Sequence, residues 1–248
     1  MYDWHVSNPE KGDRFRRAMK GVSSSEFLSK PSHAKVNRDH SGLDPADFLI
    51  RNWIEENHHL PERVKVVELG GRYGFASTSL VAEYLEFNFE VRCESQDFLD
   101  RGQAQISPDC WPRITFKKVS SLSTVPSDDS DVVVYIIRNL LWNWTDDDAI
   151  QLLRSLLPAL KKSTPTYILV TDGVSPGHKE FPPHVEIGYR RRDITTMTMH
   201  NVKQRSQFEW LEMFSKVDPG MKVTTRIEKS SHVCKGLWEL KLAYLDML

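Results

Sequence analysis

The chain has 248 residues, with 33 Lys and Arg against 34 Asp and Glu, for a formal net charge of −1. Hydrophobic residues make up 40%, which is enough for one sizeable core. So neutral a balance excludes the basic field that nucleic acid requires, and no apolar run reaches membrane-spanning length, so neither a nucleic acid nor a membrane is expected as a partner.

Ser7-Asn8-Pro9-Glu10 reads as a helix start, running to about Met19 with Phe15 and Met19 on one face. Gly21 to Gly42, rich in Ser, Lys and His, reads as a loop. Asp44-Pro45 starts a second helix that buries Phe48, Leu49, Trp53 and Ile54 and ends near His58. The stretch from Val64 to Gly74 organises the remainder of the chain. A β-branched run carries the acid Glu68 and leads into Gly70, Gly71 and Gly74, which describes a buried parallel strand entering a tight turn and a helix. Glycines let backbone N–H groups approach a ligand, the following helix N-terminus favours negative charge, and ligands of open α/β sheets sit at such strand ends. Glu68 either holds the turn or faces a cationic group of the ligand.

Beyond the turn, Phe75 to Tyr84 reads as a helix, Phe89 to Glu94 as a strand ending in an acid, and Gln96 to Gln105 as a short helix. Ile114 to Val119 and Asp131 to Ile137 are strands. Asp146 to Leu160 is a helix with three aspartates at its positive end and an apolar stripe of Ile150, Leu153, Leu156, Leu157 and Leu160. Thr166 to Val170 is a fifth strand with Asp172 just beyond it. An irregular segment with Pro176, Pro182 and Pro183 precedes helices from Arg192 to Asn201 and Gln207 to Val217. Met221 to Ile227 and Leu237 to Leu242 have no helix between them and so pair antiparallel. The alternation predicts an α/β fold, a doubly wound and mostly parallel seven-stranded sheet with a terminal antiparallel pair. Cys93, Cys110 and Cys234 are scattered and odd in number, and Met1 to Lys20 carries no secretory signal, so a reducing, cytoplasmic setting is expected.

Three stretches carry a resemblance that covers most of the chain: Phe15-Arg16-Arg17-Ala18-Met19, the block from Ile137-Arg138-Asn139-Leu140-Leu141-Trp142-Asn143-Trp144 to Asp148, and Asp193-Ile194 through Lys203-Gln204-Arg205-Ser206. The chain resembles the class I S-adenosylmethionine-dependent O-methyltransferases of caffeate type, common in plant and fungal secondary metabolism. The resemblance implies a Rossmann-like methyltransferase domain over residues 61–248. A helical lead-in over 1–60 would be the remnant of the connection to a winged-helix dimerisation domain. It implies S-adenosylmethionine as cofactor, a small aromatic or polyketide-type molecule as acceptor, and a dimer or partner that supplies the N-terminal region.

Carried onto this sequence, the cofactor would meet Glu68, Gly70, Gly71, Gly74, Glu94, Ser120, Arg138 and Trp144, and the acceptor Met197 and Asn201. Glu94 would accept hydrogen bonds from ribose hydroxyls. Asn143 stands where the family pattern has an aspartate, and four further departures fall on the ligand or the chemistry. Arg72 replaces the third glycine of the run and Ser120 an aspartate near the adenine. Trp142 replaces the histidine that deprotonates the acceptor, and Gln204 one of its two flanking acids, the other matching Asp172. Indole nitrogen only donates and cannot act as a base. The catalytic set thus becomes Trp142, Asp172 and Gln204. Either the acceptor is acidic enough to ionise alone, or the chain is a non-methylating relative, pericyclase-like or accessory. Asp172, if burial raises its carboxyl, and His178 and His184 on the irregular segment are the substitutes available for the lost base. Asp172 reads equally as a strand-end acid without a role, and no histidine has metal-ligand spacing.

Overall fold

The computed structural model describes residues 10, 11, 14, 45–57, 60, 61, 63–71, 73–122, 131–161, 165–229 and 234–243. Apart from Glu10, Lys11 and Arg14, the expected first helix lies outside them, as do the loop from Gly21 to Gly42, the pair His58–His59, and Arg72.

Among the described residues, β1 (Val64–Leu69), β2 (Phe87–Cys93), β3 (Ile114–Lys118), β4 (Val132–Arg138), β5 (Tyr167–Gly173), β6 (Met221–Lys229) and β7 (Cys234–Leu242) form one sheet. Its order is β3-β2-β1-β4-β5-β7-β6. The first five strands are mutually parallel and β7 pairs antiparallel with β6, as the sequence predicts; β7 also runs antiparallel to β5. Strand order reverses between β1 and β4, where open α/β sheets bind ligands.

Helices α1 (Pro45–Glu56), α2 (Phe75–Leu80) and α3 (Gln96–Gln103) cover one face, while α4 (Asp146–Leu160) and α6 (Gln207–Ser215) cover the other. Side chains alternate between the two. Val66, Ile136, Leu169 and Leu237 join the α1 side, and Val67, Ile137, Val170 and Trp238 the α4 side. β4 is buried from Val132 to Ile137, as befits a central parallel strand covered on both faces. On α1, the buried Trp53 donates to Oε2 of Glu239 in β7 at 2.5 Å and meets Tyr167 edge-on. This docking brings Asp47 to Arg138 at the end of β4, 2.8 Å away.

Four boundaries differ from expectation by three residues or more. α5 (Pro183–His200) begins well before Arg192. Pro182 and Pro183 are its N-cap and first helical residue, where a missing N–H costs nothing. Its exposed side carries Ile187 and Ile194, which blurs the apolar period that would have revealed it. α2 stops at Leu80 and gives way to a turn at 81–83. β7 starts at Cys234. Finally, β5 extends through Gly173, which places Asp172 inside the strand rather than past its end.

Candidate active site

The glycine turn is built as expected, but its parts serve different ends. Gly70 and Gly74 adopt φ of 67° and 70°, the left-handed backbone that favours glycine. Gly71 is required by space, because a Cβ there would lie 2.3 Å from Oε1 of Glu68. Glu68 is 1% exposed and accepts hydrogen bonds from the N–H groups of Ala76 and Ser77, at 3.4 and 2.8 Å, and from the Ser77 hydroxyl at 2.7 Å. It therefore holds the turn. The start of α2, expected to greet a ligand, is instead satisfied by this carboxylate, since a buried charge must find donors. Burial pushes the Glu68 carboxyl up, with the Ser77 hydrogen bonds opposing.

Around Gly70 the outline is different. A Cβ on Gly70 would lie 2.7 Å from Cδ2 of Leu140 and 3.2 Å from Leu122. Glu94, exposed at the end of β2, accepts from the Leu122 N–H at 3.1 Å through Oε1. Ser120 is exposed after β3. Leucines beside a bare glycine suit a flat ring, and a solvent-facing carboxylate suits a diol, so these residues fit an adenosyl group. Arg138 and Trp144 have partners within the protein. Arg138 pairs with Asp47, and its guanidinium lies 6.0 Å from the Phe75 ring centroid. Trp144 packs on the core and accepts from Arg205 through its carbonyl at 2.7 Å.

The turn after β4 carries Trp142, the expected catalytic position. Asn139 takes φ of 49°, and Leu141–Asn143 form a single 3-10 turn. The Trp142 indole donates to the Asn139 carbonyl at 3.0 Å, so its one polar atom is tied to its own turn. The Trp142 N–H donates to Oδ2 of Asp172 at 3.1 Å, while Oδ1 accepts from Gly173 at 2.9 Å. Asp172 is 1% exposed; burial pushes its carboxyl up, against the charge of Lys235. Arg205, also buried, clamps the whole turn. It donates to the carbonyls of Leu141 and Trp144 and to Asp146, and lies 4.8 Å from the Trp210 ring centroid. Gln204 is fixed by α5, its N–H on Asp193 and its Nε2 on the Thr196 hydroxyl.

Trp142 and Asp172 are thus joined directly, and Gln204 approaches Gly173 from the α5 side. Met197 is 56% exposed, and the exposed Asn201 ends α5 at φ of 56°. His178 and His184 are both exposed, the former 3.4 Å from Glu186. Among the described residues no group of three metal-ligating side chains exists. A separate cavity of about 400 Å³, lined by Val174, Phe208, Leu211 and Ile227 among others, shares none of the expected site residues.

A family model described as an O-methyltransferase domain matches residues 9–218. The chain belongs to the O-methyltransferase domain family. It is 36% identical over 230 residues to the O-methyltransferase phnC of Penicillium herquei, covering 90% of this chain and 50% of that protein. It is 26% identical to the O-methyltransferase pgmB of Aspergillus terreus, covering 90% and 57%. The chain spans about half the length of the curated relatives it matches. Among solved structures, the mitomycin 7-O-methyltransferase MmcR superposes with a TM-score of 0.66 at 18% identity, covering 97% of this chain and 60% of that one. LepI in complex with SAM gives 0.61 at 20%, covering 89% and 52%. At such identities these two establish the shared fold.

In this member of the O-methyltransferase family, Asp47, Thr171 and Lys235 carry no mark in their sequence context. Asp47 lies 91 residues from Arg138, and Lys235 lies 96 from Asn139, whose Oδ1 it donates to. No local pattern connects residues so far apart. Arg205 lies within the Lys203-Gln204-Arg205-Ser206 motif, yet its clamp on the Trp142 turn shows only in three dimensions.

Proposed function

We propose that this chain is the methyl-transfer region of a fungal secondary-metabolite O-methyltransferase that uses S-adenosylmethionine. The acceptor is a hydroxyl of a small aromatic or polyketide-type molecule, and no protein base assists. The carrying observation is a contrast within one site. The adenosyl end keeps Gly70, Glu94, Leu122 and Leu140 in a fitting arrangement, while the position of the base holds an indole bonded to Asn139. The named activities of phnC and pgmB support the reaction class. When bound, S-adenosylmethionine supplies an activated methyl group, so the protein's task is alignment. Glu94 would hold the ribose, and Asp172 with Arg205 keeps the Trp142 turn rigid behind the acceptor. The lead-in over 1–60 would join a region, its own or a partner's, that completes the acceptor wall and a dimer.

Calorimetric titration with S-adenosylmethionine, followed by turnover on a panel of phenols, tests this. Saturable binding is expected, with the most acidic phenols methylated fastest; absence of binding at millimolar ligand eliminates the reading. Restoring a base and its acid with Trp142→His and Gln204→Glu should raise turnover of weakly acidic phenols about 100-fold, the scale of general-base assistance. The tied indole also favours a second reading, a non-methylating relative. Binding without turnover by either protein on any phenol would support it.

A further inference from the structure

Gln204 presents a carbonyl oxygen that no described residue uses. Its backbone N–H donates to Oδ1 of Asp193 at 2.8 Å, and its Nε2 lies 3.2 Å from the Thr196 hydroxyl. That second contact fixes which way the amide points. The Thr196 proton is already directed to the helix carbonyls of Arg192 and Asp193, at 3.2 and 3.0 Å, so the Thr196 oxygen can only accept from Gln204. The amide nitrogen therefore faces the buried Thr196, and Oε1 faces away from it. Among the described residues Oε1 receives no hydrogen bond, and unlike the enclosed Thr171 hydroxyl it retains accessible surface. It is an open acceptor on a half-buried side chain.

The neighbouring strand leaves room in front of this oxygen. A Cβ built on Gly173 would meet only Oε1 of Gln204, at 4.0 Å, and the φ of Gly173 lies outside the left-handed range. Neither crowding nor backbone strain therefore demands a glycine there. Gly173 follows Asp172, which holds the Trp142 N–H, so the room adjoins the turn expected to face the acceptor. The charges around it are engaged. Lys235, the register partner of Gly173, donates to Oδ1 of Asn139 and stands opposite Glu228 in β6. Arg205 is paired with Asp146, and both oxygens of Asp172 accept from backbone N–H groups. What stays open is the negative end of one amide dipole, with the Asp193 carboxylate on the same residue's N–H. Such a group attracts a donor and repels an anion.

We infer that Gln204 is a specificity residue whose side-chain carbonyl accepts a hydrogen bond from an un-ionised O–H or N–H of the acceptor, seated in the room beside Gly173. The inference rests on the methyl-transfer reading and narrows its substrate class. The reacting oxygen, ionised in that reading, is not the group held here, because a carbonyl and an anion both only accept. The acceptor is therefore a hydroxyarene with two polar groups, one oxygen that reacts and a second group that donates to Gln204. A site built around such a donor rejects analogues that lack it, since the carbonyl would then be covered without a partner.

Three coumarins serve as probes, titrated by fluorescence into the full chain at mildly alkaline pH, where one hydroxyl is ionised. Umbelliferone has a single hydroxyl, while aesculetin and daphnetin carry a second on one or the other neighbouring carbon. The wild-type protein should bind at least one of these two about ten-fold more tightly than umbelliferone, the scale of a single hydrogen bond. Gln204→Met, which keeps the length of the side chain and removes the acceptor, should abolish that preference. Gly173→Ala should lower it about ten-fold with an unchanged thermal midpoint, because the protein has room for the methyl and the seated ligand does not. The inference is overturned if the wild-type protein binds none of the three or shows no preference, if the preference survives Gln204→Met, or if Gly173→Ala retains it in full. Should Gln204→Met fail to fold, the Gly173→Ala ratio decides by itself. Calorimetry separates the two claims. S-adenosylmethionine binding without a donor preference sinks this site alone; a donor preference without S-adenosylmethionine binding keeps the site and removes the transferase.

Discussion

Two buried acids, Glu68 and Asp172, show how a single carboxyl does work that its position in the sequence leaves open. Both were legible as strand-end acids, and both turn out to hold backbone N–H groups of a neighbouring turn. Burial raises each above its ordinary value of 4.5 or 3.8. An acid raised in the folded state binds more protons folded than unfolded. Its contribution to stability is therefore present below the ordinary value and lost as pH rises from there through the raised one. In urea unfolding followed across pH, Asp172→Asn should flatten part of this decline. It should also cost about 1–3 kcal/mol near neutrality, because a backbone N–H loses its acceptor. An unchanged pH slope would show that Asp172 is not the group responsible. That Trp142 cannot serve as a base was legible without any structure, since an indole cannot accept a proton. That its nitrogen is tied to Asn139 was not, because the tie depends on the positive φ of that residue.

Elements with a clean period were readable. α4 has the bounds expected from its aspartates and leucine stripe, with Thr145 capping it through the Asp148 N–H. α5 was half missed, because two prolines that look like breakers stand at its start. α6 opens with a capping box between Ser206 and Glu209, on the chain that has just delivered Gln204 and Arg205 to the site. Ser206→Ala should cost about 1 kcal/mol in a urea denaturation series. Trp53 joins α1 to the sheet by packing and by its indole hydrogen bond. Trp53→Phe keeps most of the packing but strips Glu239 of a buried donor, for about 1–3 kcal/mol, while Trp53→Ala adds a cavity and should reach about 3–5 kcal/mol. Equal losses in the two variants would mean that the hydrogen bond, not the ring, secures the helix.

At the scale of the whole molecule, the three cysteines report on cooperativity. Cys93, Cys110 and Cys234 are all buried and unlinked, and burial pushes the Cys234 thiol up. An aromatic disulfide reagent should find no rapidly reacting thiol in the native protein and three after denaturation in urea. A rapid native thiol would reveal an opening at one edge of the sheet. No helix among the described residues is long and apolar enough to cross a membrane. The order of strands and helices, the glycine turn and the indole of Trp142 after β4 are all legible in the linear chain, because each is written in a short run of neighbouring residues. The pairing of Arg138 with Asp47, the clamp of Arg205 and the placing of Lys235 beside Gly173 arise only on folding. Each joins residues far apart in sequence, and the register of β5 against β7 sets which side chains share a face.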